Sequence, residues 1–257
     1  MKSTIEIFPD LSEISRVAAE KFISIGNRAC KQNGKFTVAL AGGSTPKSLY
    51  RLLTTDNFKK QINWSKVFFF FGDERNVLPV AEDSNFRMAN ENLLKPLQIS
   101  ENQIFRWQTQ IGDAVKIAED YEERIKDFFR LRKNSSASAT GDSDLLLPRF
   151  DLVLLGMGDD GHTASLFPFT DALRERKKIA VANCVEKLNT VRLTLTFSAI
   201  NNASNIMFLI NGEEKAKVLR AVLEGEFKPE EFPSQNIKPA NGNLFWLLDE
   251  KAAQKLK

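Results

Sequence analysis

The sequence predicts an α/β fold, a single domain built on a mainly parallel sheet with helices on both faces, and three features carry that expectation. Strand-length apolar runs alternate with stretches of helical periodicity along the chain. Some of these runs are apolar almost without interruption, as strands covered on both faces are. Several end in glycine turns that lead into helices. The 257 residues would suffice for one large domain or two small ones, but the alternation continues to the end and no repeat of about 20 to 50 residues divides it. The whole of 1–257 is therefore taken as one domain.

Near the amino end, Asp10 is placed to cap a helix in which Glu13 completes a capping box. Leu11, Ile14, Ala18, Phe22, Ile25 and Ala29 share one face of it, and Asn33 with Gly34 stops it. The run 36–41 (FTVALA) reads as a strand, followed by a glycine turn and a helix with Pro46 in its first position and Leu49, Leu52 and Leu53 inward. The run 66–71 (KVFFFF) is a buried strand that ends in Gly72-Asp73-Glu74-Arg75. Ser84 opens a helix carrying Phe86, Ala89 and Leu93, and a longer helix over 113–132 lines up Ile117, Tyr121, Ile125 and Phe128. The segment 134–144 (NSSASATGDSD) has nothing to bury and reads as a flexible loop inside the domain. Strands resume at 150–158 (FDLVLLGMG), 190–197 (TVRLTLTF), 205–210 (NIMFLI) and 243–248 (NLFWLL). The third of these leads through Asn211-Gly212 to a helix with Ala216, Leu219 and Leu223.

Composition narrows the class of partner. Lys and Arg number 36 against 33 Asp and Glu, a balance too even for nucleic acid to be the main partner, though a small anionic ligand fits. No apolar run approaches the ~18 residues of a membrane span, and the first residues carry charges throughout, unlike a secretory signal. Cys30 and Cys184 lack pairing or metal-ligand spacing, which fits a reducing compartment and two packed thiols. A cytoplasmic protein, monomeric or a weak homodimer, is expected.

In open α/β sheets ligands bind beyond the carboxyl ends of the strands, so the turns at 42, 72, 156 and 211 should converge. Gly42-Gly43-Ser44-Thr45 offers close backbone approach, two hydroxyls and a helix N-terminus, a cradle for phosphate. It can equally be a tight turn capped by Thr45. Gly156-Met157-Gly158-Asp159-Asp160-Gly161 matches a dinucleotide fingerprint literally, but two carboxylates inside the turn would repel a pyrophosphate. The next residue, His162, is the chain's one histidine. An imidazole general base has no other candidate, and Asp159 or Asp160 could orient it. A lone histidine with no cysteine cluster does not suit a structural zinc site. Asp73-Glu74-Arg75 is either a solvated charge cluster or an acid pair and a guanidinium aimed into the crevice, where the arginine suits an oxyanion or carboxylate. Arg192 interrupts an apolar alternation and Lys215 sits in the first turn of a helix; each alone reads as a surface cation, yet both fall in the same layer. The run 174–178 (RERKK) reads as a solvated helix face.

The segments ALAGGSTPKSLYRLL, FFFGDERNVLPVAEDSN, FDLVLLGMGDDGHTASLFP and FPSQNIKPANGNLFWLLDEKAA, in this order and spacing, closely resemble 6-phosphogluconolactonases. The likeness covers nearly the whole chain and is strongest in DGHTASLFP, which separates these lactonases from glucosamine-6-phosphate deaminases. It implies a three-layer α/β/α sandwich shared with those deaminases and with ribose-5-phosphate isomerase. It also implies hydrolysis of 6-phospho-D-glucono-1,5-lactone to 6-phosphogluconate, the second step of the oxidative pentose phosphate pathway. By the same resemblance His162 activates water, Asp160 orients the imidazole, and Arg75 stabilises the oxyanion or binds the product carboxylate. Gly42, Gly43, Ser44, Thr45 and Asp73, with Arg192 and Lys215 supplying charge, hold the substrate, and no metal or organic cofactor is expected. The polar insertion 134–144 and Val77-Leu78-Pro79-Val80 depart from the family pattern. A deaminase or isomerase on the same fold, or a non-catalytic sugar-phosphate sensor, are the alternatives.

Overall fold

The computed structural model describes residues 2–131 and 146–257, so the polar segment 134–144 lies outside the described residues. In chain order the strands are β1 (Lys2–Phe8), β2 (Phe36–Leu40), β3 (Val67–Phe71), β4 (Asp73–Arg75), β5 (Ile104–Phe105), β6 (Leu152–Leu155), β7 (Ala180–Val185), β8 (Thr190–Leu195), β9 (Asn205–Ile210) and β10 (Asn243–Asp249). Among the described residues seven of them form a wholly parallel sheet in the order β1-β10-β9-β6-β2-β3-β5, and β4-β8-β7 form a small antiparallel sheet. The helices are α1 (Leu11–Asn33), α2 (Ser44–Leu53), α3 (Asp56–Lys59), α4 (Asn85–Ala89), α5 (Ala114–Phe129), α6 (Phe197–Asn201), α7 (Ala216–Glu224) and α8 (Glu250–Ala253). They flank the parallel sheet, giving the α/β fold that the alternation predicts.

Local chemistry explains the element ends. The Asp10 carboxylate accepts the Glu13 N–H at 3.0 Å and starts α1, and Gly34, at φ 74, returns its N–H to the Cys30 carbonyl. Asp113 and Ser84 cap α5 and α4 in the same way. Strands β2 and β6 are buried at every position, which is why they read as continuous apolar runs. Two buried tyrosines finish strands: the Tyr50 hydroxyl meets both N–H and C=O of Ala41, and the Tyr121 hydroxyl meets both of Phe71. Each phenol satisfies backbone groups that a departing chain would leave unpaired, and burial pushes both phenols well above their ordinary range. The register pairs Leu40 with Phe71 and Val38 with Leu152, so the turns after β2, β3 and β6 open at one edge of the sheet.

Several expectations need correction. The run 190–197 belongs to the small sheet, not the large one; Leu193, Thr194 and Leu195 are all buried, so its alternation is one of side-chain polarity and not of exposure. Asp73-Glu74-Arg75 is itself a strand, paired antiparallel with β8, and β7 had no sequence expectation at all. The edge strand β1 went unread because its alternation is weakly apolar; Ile5 and Ile7 remain exposed. Pro46 is the third residue of α2, and Gly43, not Thr45, is its cap. The run 174–178 is not a helix face: a short 3₁₀ turn ends at Arg174, and Glu175 then accepts the N–H groups of Lys177 and Lys178. Cys30 is half-buried and Cys184 is exposed rather than packed.

Candidate active site

The four turns converge as expected. A cavity of about 550 Å³ is lined by Gly42 to Pro46 after β2, by Gly72, Asp73 and Arg75, by the 156–160 turn with His162, and by Asn211 and Lys215 after β9. Arg192 reaches it from β8. Every residue to which the resemblance gives a catalytic or substrate-binding role therefore lines one space.

The glycines in this region serve the packing of neighbouring side chains. A Cβ on Gly42 would run into the Asn85 amide, and one on Gly158 would overlap the His162 ring. Gly43, at φ 104, takes a conformation that only glycine adopts at little cost. The exposed Ser44 and half-buried Thr45 open α2 with backbone N–H groups toward the cavity, suited to an anion.

His162 is held on three sides. Its Nδ1 lies 2.5 Å from Asp160 Oδ1, its backbone N–H donates to the same oxygen at 3.2 Å, and its ring stacks on Phe167 at 4.0 Å between centroids. The carbonyl of His162 also accepts the Gly158 N–H at 2.9 Å, closing the turn. With Nδ1–H donated to a carboxylate, Nε2 carries the lone pair that a general base needs. Burial favours the neutral form of Asp160, but the hydrogen bond and charge of His162, with the Lys187 ammonium at 3.0 Å from Oδ2, outweigh it and hold the carboxyl well below its usual range. Asp159 lines the cavity but is exposed.

The acid pair at 73 and 74 divides. Asp73 faces the cavity, with one oxygen accepting the Ser165 hydroxyl at 2.7 Å and the other the Asn85 amide at 3.2 Å. Glu74 turns away: it accepts the N–H groups of Arg75, Asn85 and Phe86 and the Ser84 hydroxyl, tying the start of α4 to β4. Burial raises its carboxyl above the ordinary range against those hydrogen bonds. Its expected place in the crevice is thus corrected to a structural one. Arg75 and Arg192 are register partners across β4 and β8. Arg75 Nη1 donates to the Asp83 carbonyl at 2.5 Å, while Arg192 Nε is buried without a hydrogen-bond partner among the described residues. Burial, then the Arg75 charge, pushes the Arg192 guanidinium below its ordinary value. No group of three His, Cys, Asp or Glu side chains is gathered for a metal among the described residues.

The family described as glucosamine-6-phosphate isomerases/6-phosphogluconolactonase matches residues 9–246. The chain belongs to that family. Within it, the protein is 38% identical to a 6-phosphogluconolactonase of Nostoc, over 100% of this chain and 99% of that one. It is 32% identical to a probable 6-phosphogluconolactonase of Arabidopsis thaliana, over 99% and 94%. Its fold matches the 6-phosphogluconolactonase of Trypanosoma brucei with a TM-score of 0.85 at 29% identity, covering 100% and 99%. A monomeric glucosamine-6-phosphate deaminase, at 20% identity and a TM-score of 0.74 over 99% and 100%, shares the fold alone.

Several side chains that shape this isomerase/lactonase-family site carried no sequence expectation. Asn85, Ser165 and Phe167 act by touching Asp73 or His162, and Lys187 crosses from a different sheet. Ser165 and Phe167 did fall inside the DGHTASLFP segment, the signal that could have found them. Asn85 likewise closes the FFFGDERNVLPVAEDSN segment, whereas the position of Lys187 depends on tertiary approach and has no local signature.

Proposed function

We propose that the protein hydrolyses 6-phospho-D-glucono-1,5-lactone to 6-phosphogluconate, with His162 as general base. The observation that carries the reading is the His162–Asp160 pair at 2.5 Å, presented to a cavity whose wall holds two arginines and two lysines. Its family membership and full-length similarity to 6-phosphogluconolactonases agree with it.

In this mechanism water lies against His162 Nε2. As its oxygen bonds to C1 of the lactone, its proton passes to Nε2, and the imidazolium is stabilised by the Asp160 carboxylate. Charge gathers on the carbonyl oxygen, where the Arg75 guanidinium offsets it. When the C1–O5 bond breaks, the proton returns from Nε2 to O5, giving the 5-hydroxyl and a carboxylic acid that ionises in water. An activated ester needs no metal or organic group for these steps. The phosphate is held by Gly43, Ser44 and Thr45 at the α2 N-terminus, with Arg192 and Lys215 supplying charge, and Gly42 and Asp73 complete the substrate pocket. We take 1–257 to be one catalytic domain of a cytoplasmic enzyme of the pentose phosphate pathway.

The test is to form fresh lactone from glucose-6-phosphate and follow acid release with and without the protein. Acceleration over spontaneous opening is expected. Binding without turnover would make the protein a sugar-phosphate sensor, and release of ammonia from glucosamine-6-phosphate would make it a deaminase.

A further inference from the structure

The hairpin joining β7 to β8 ends in a tight turn, Glu186–Leu188, closed by Asn189 at φ 46. It brings Lys187 to the rim of the cavity, against the 156–161 turn. Lys187 Nζ lies 3.0 Å from Asp160 Oδ2, and Asp160 Oδ1 lies 2.5 Å from His162 Nδ1. The carboxylate thus stands between a cation and the imidazole, with one oxygen for each.

We propose that Lys187 is a positioning residue for lactone opening: by anchoring Asp160 Oδ2 it keeps Oδ1 on His162 Nδ1, and so keeps Nε2 unprotonated toward the cavity. This rests on the reading of His162 as the base. An aspartate on a turn can rotate about its side-chain bonds, and Oδ1 already serves both the ring and the backbone N–H of His162. An anchor on Oδ2 restricts that rotation. The hairpin is a firm base for the anchor, since its strands pair from Ala180 opposite Leu195 to Val185 opposite Thr190. The same β8 pairs with β4 at Arg75 and Arg192, so one small sheet sets Lys187 and both arginines around the cavity. The Asp160 carboxylate in turn holds the Lys187 ammonium above its ordinary value. Lys187 is 69% exposed against 19% for Asp160, and pairs this open contribute little to stability. Removing the lysine should therefore be felt in turnover rather than in folding.

The experiment compares wild type, Lys187→Met and Lys187→Arg by steady-state kinetics on fresh lactone and by ¹⁵N spectra of the histidine ring. The chain has one histidine, so its ring signals need no assignment. Lys187→Met should lower kcat about tenfold with KM within about twofold, as expected when a reacting group loses its alignment. Its ring should pass from the Nδ1-protonated tautomer to a mixture, and Lys187→Arg should restore both. An unchanged ring in Lys187→Met overturns the proposal and leaves the base reading intact. A raised KM at constant kcat also overturns it, since Lys187 would then hold the substrate anion. A mixed ring with unchanged kcat overturns the base reading and the proposal with it.

Discussion

Arg192 stands opposite Arg75 on neighbouring strands, with its Nε buried and without a partner among the described residues. Like charges in register destabilise a sheet, and a phosphate bound between the cavity's cations would relieve the repulsion. Arg192→Ala and Lys215→Ala should each weaken binding of 6-phosphogluconate by about 1.5 to 3 kcal/mol, the worth of a charge-assisted contact in a sheltered site. Measured as kcat/KM, the loss should be large on phosphorylated lactone and small on gluconolactone; equal losses on both would make these residues structural. At this scale the sequence was informative where chemistry is rare. A single histidine followed a glycine turn with two aspartates, and the pair formed by Asp160 and His162 is two residues apart in the chain. Lys187 was illegible because its partner lies 27 positions away and nothing local marks the approach, while Asn85, 12 positions from Asp73, was marked only as the end of the FFFGDERNVLPVAEDSN segment.

At the scale of the element, β4 is held to α4 through one buried carboxylate. Glu74 accepts three backbone N–H groups and a hydroxyl, so Glu74→Gln puts an N–H₂ against donors and should cost about 1 to 3 kcal/mol. The pH dependence follows from burial, which raises the Glu74 carboxyl in the folded protein. The folded state then binds this proton more tightly than the unfolded state. The associated stability is complete below the ordinary glutamate range and is lost as pH rises through the raised value. Urea unfolding should therefore show the gap between wild type and Glu74→Gln to be widest in acid and to narrow with rising pH; a constant gap would mean that Glu74 titrates alike in both states. The inner parallel strands β2, β3, β6, β9 and β10 were legible because burial leaves a plain apolar signature, which the two edge strands β1 and β5 lack. Strand β4 was not, because three residues of Asp, Glu and Arg carry no strand pattern and pair only once β8 is in place.

For the whole molecule, one cluster of buried apolar side chains joins α1, the parallel sheet and α5 with the small sheet. A core so connected should unfold in one cooperative transition. 6-Phosphogluconate at a hundred times its Kd should stabilise the protein by about 2.7 kcal/mol, since it binds the folded state alone. Calorimetry showing two separate transitions would contradict the single domain. The architecture was read correctly in its layers and sheet type but not in its second sheet, since pairing between distant short strands is a tertiary property. That second sheet nevertheless supplies Arg75, Arg192 and the hairpin of Lys187 to a cavity that His162, the proposed base, enters from the turn beyond β6 of the parallel sheet. The step on which the proposed mechanism turns is the passage of the attacking water's proton to the imidazole of His162, set by Asp160. It is tested most directly by kcat of His162→Ala on freshly formed 6-phosphogluconolactone, with 6-phosphogluconate binding measured on the same sample. A fall of roughly 10² to 10⁴ with binding retained is expected of a lost general base, whereas near-normal turnover would remove His162 from the mechanism.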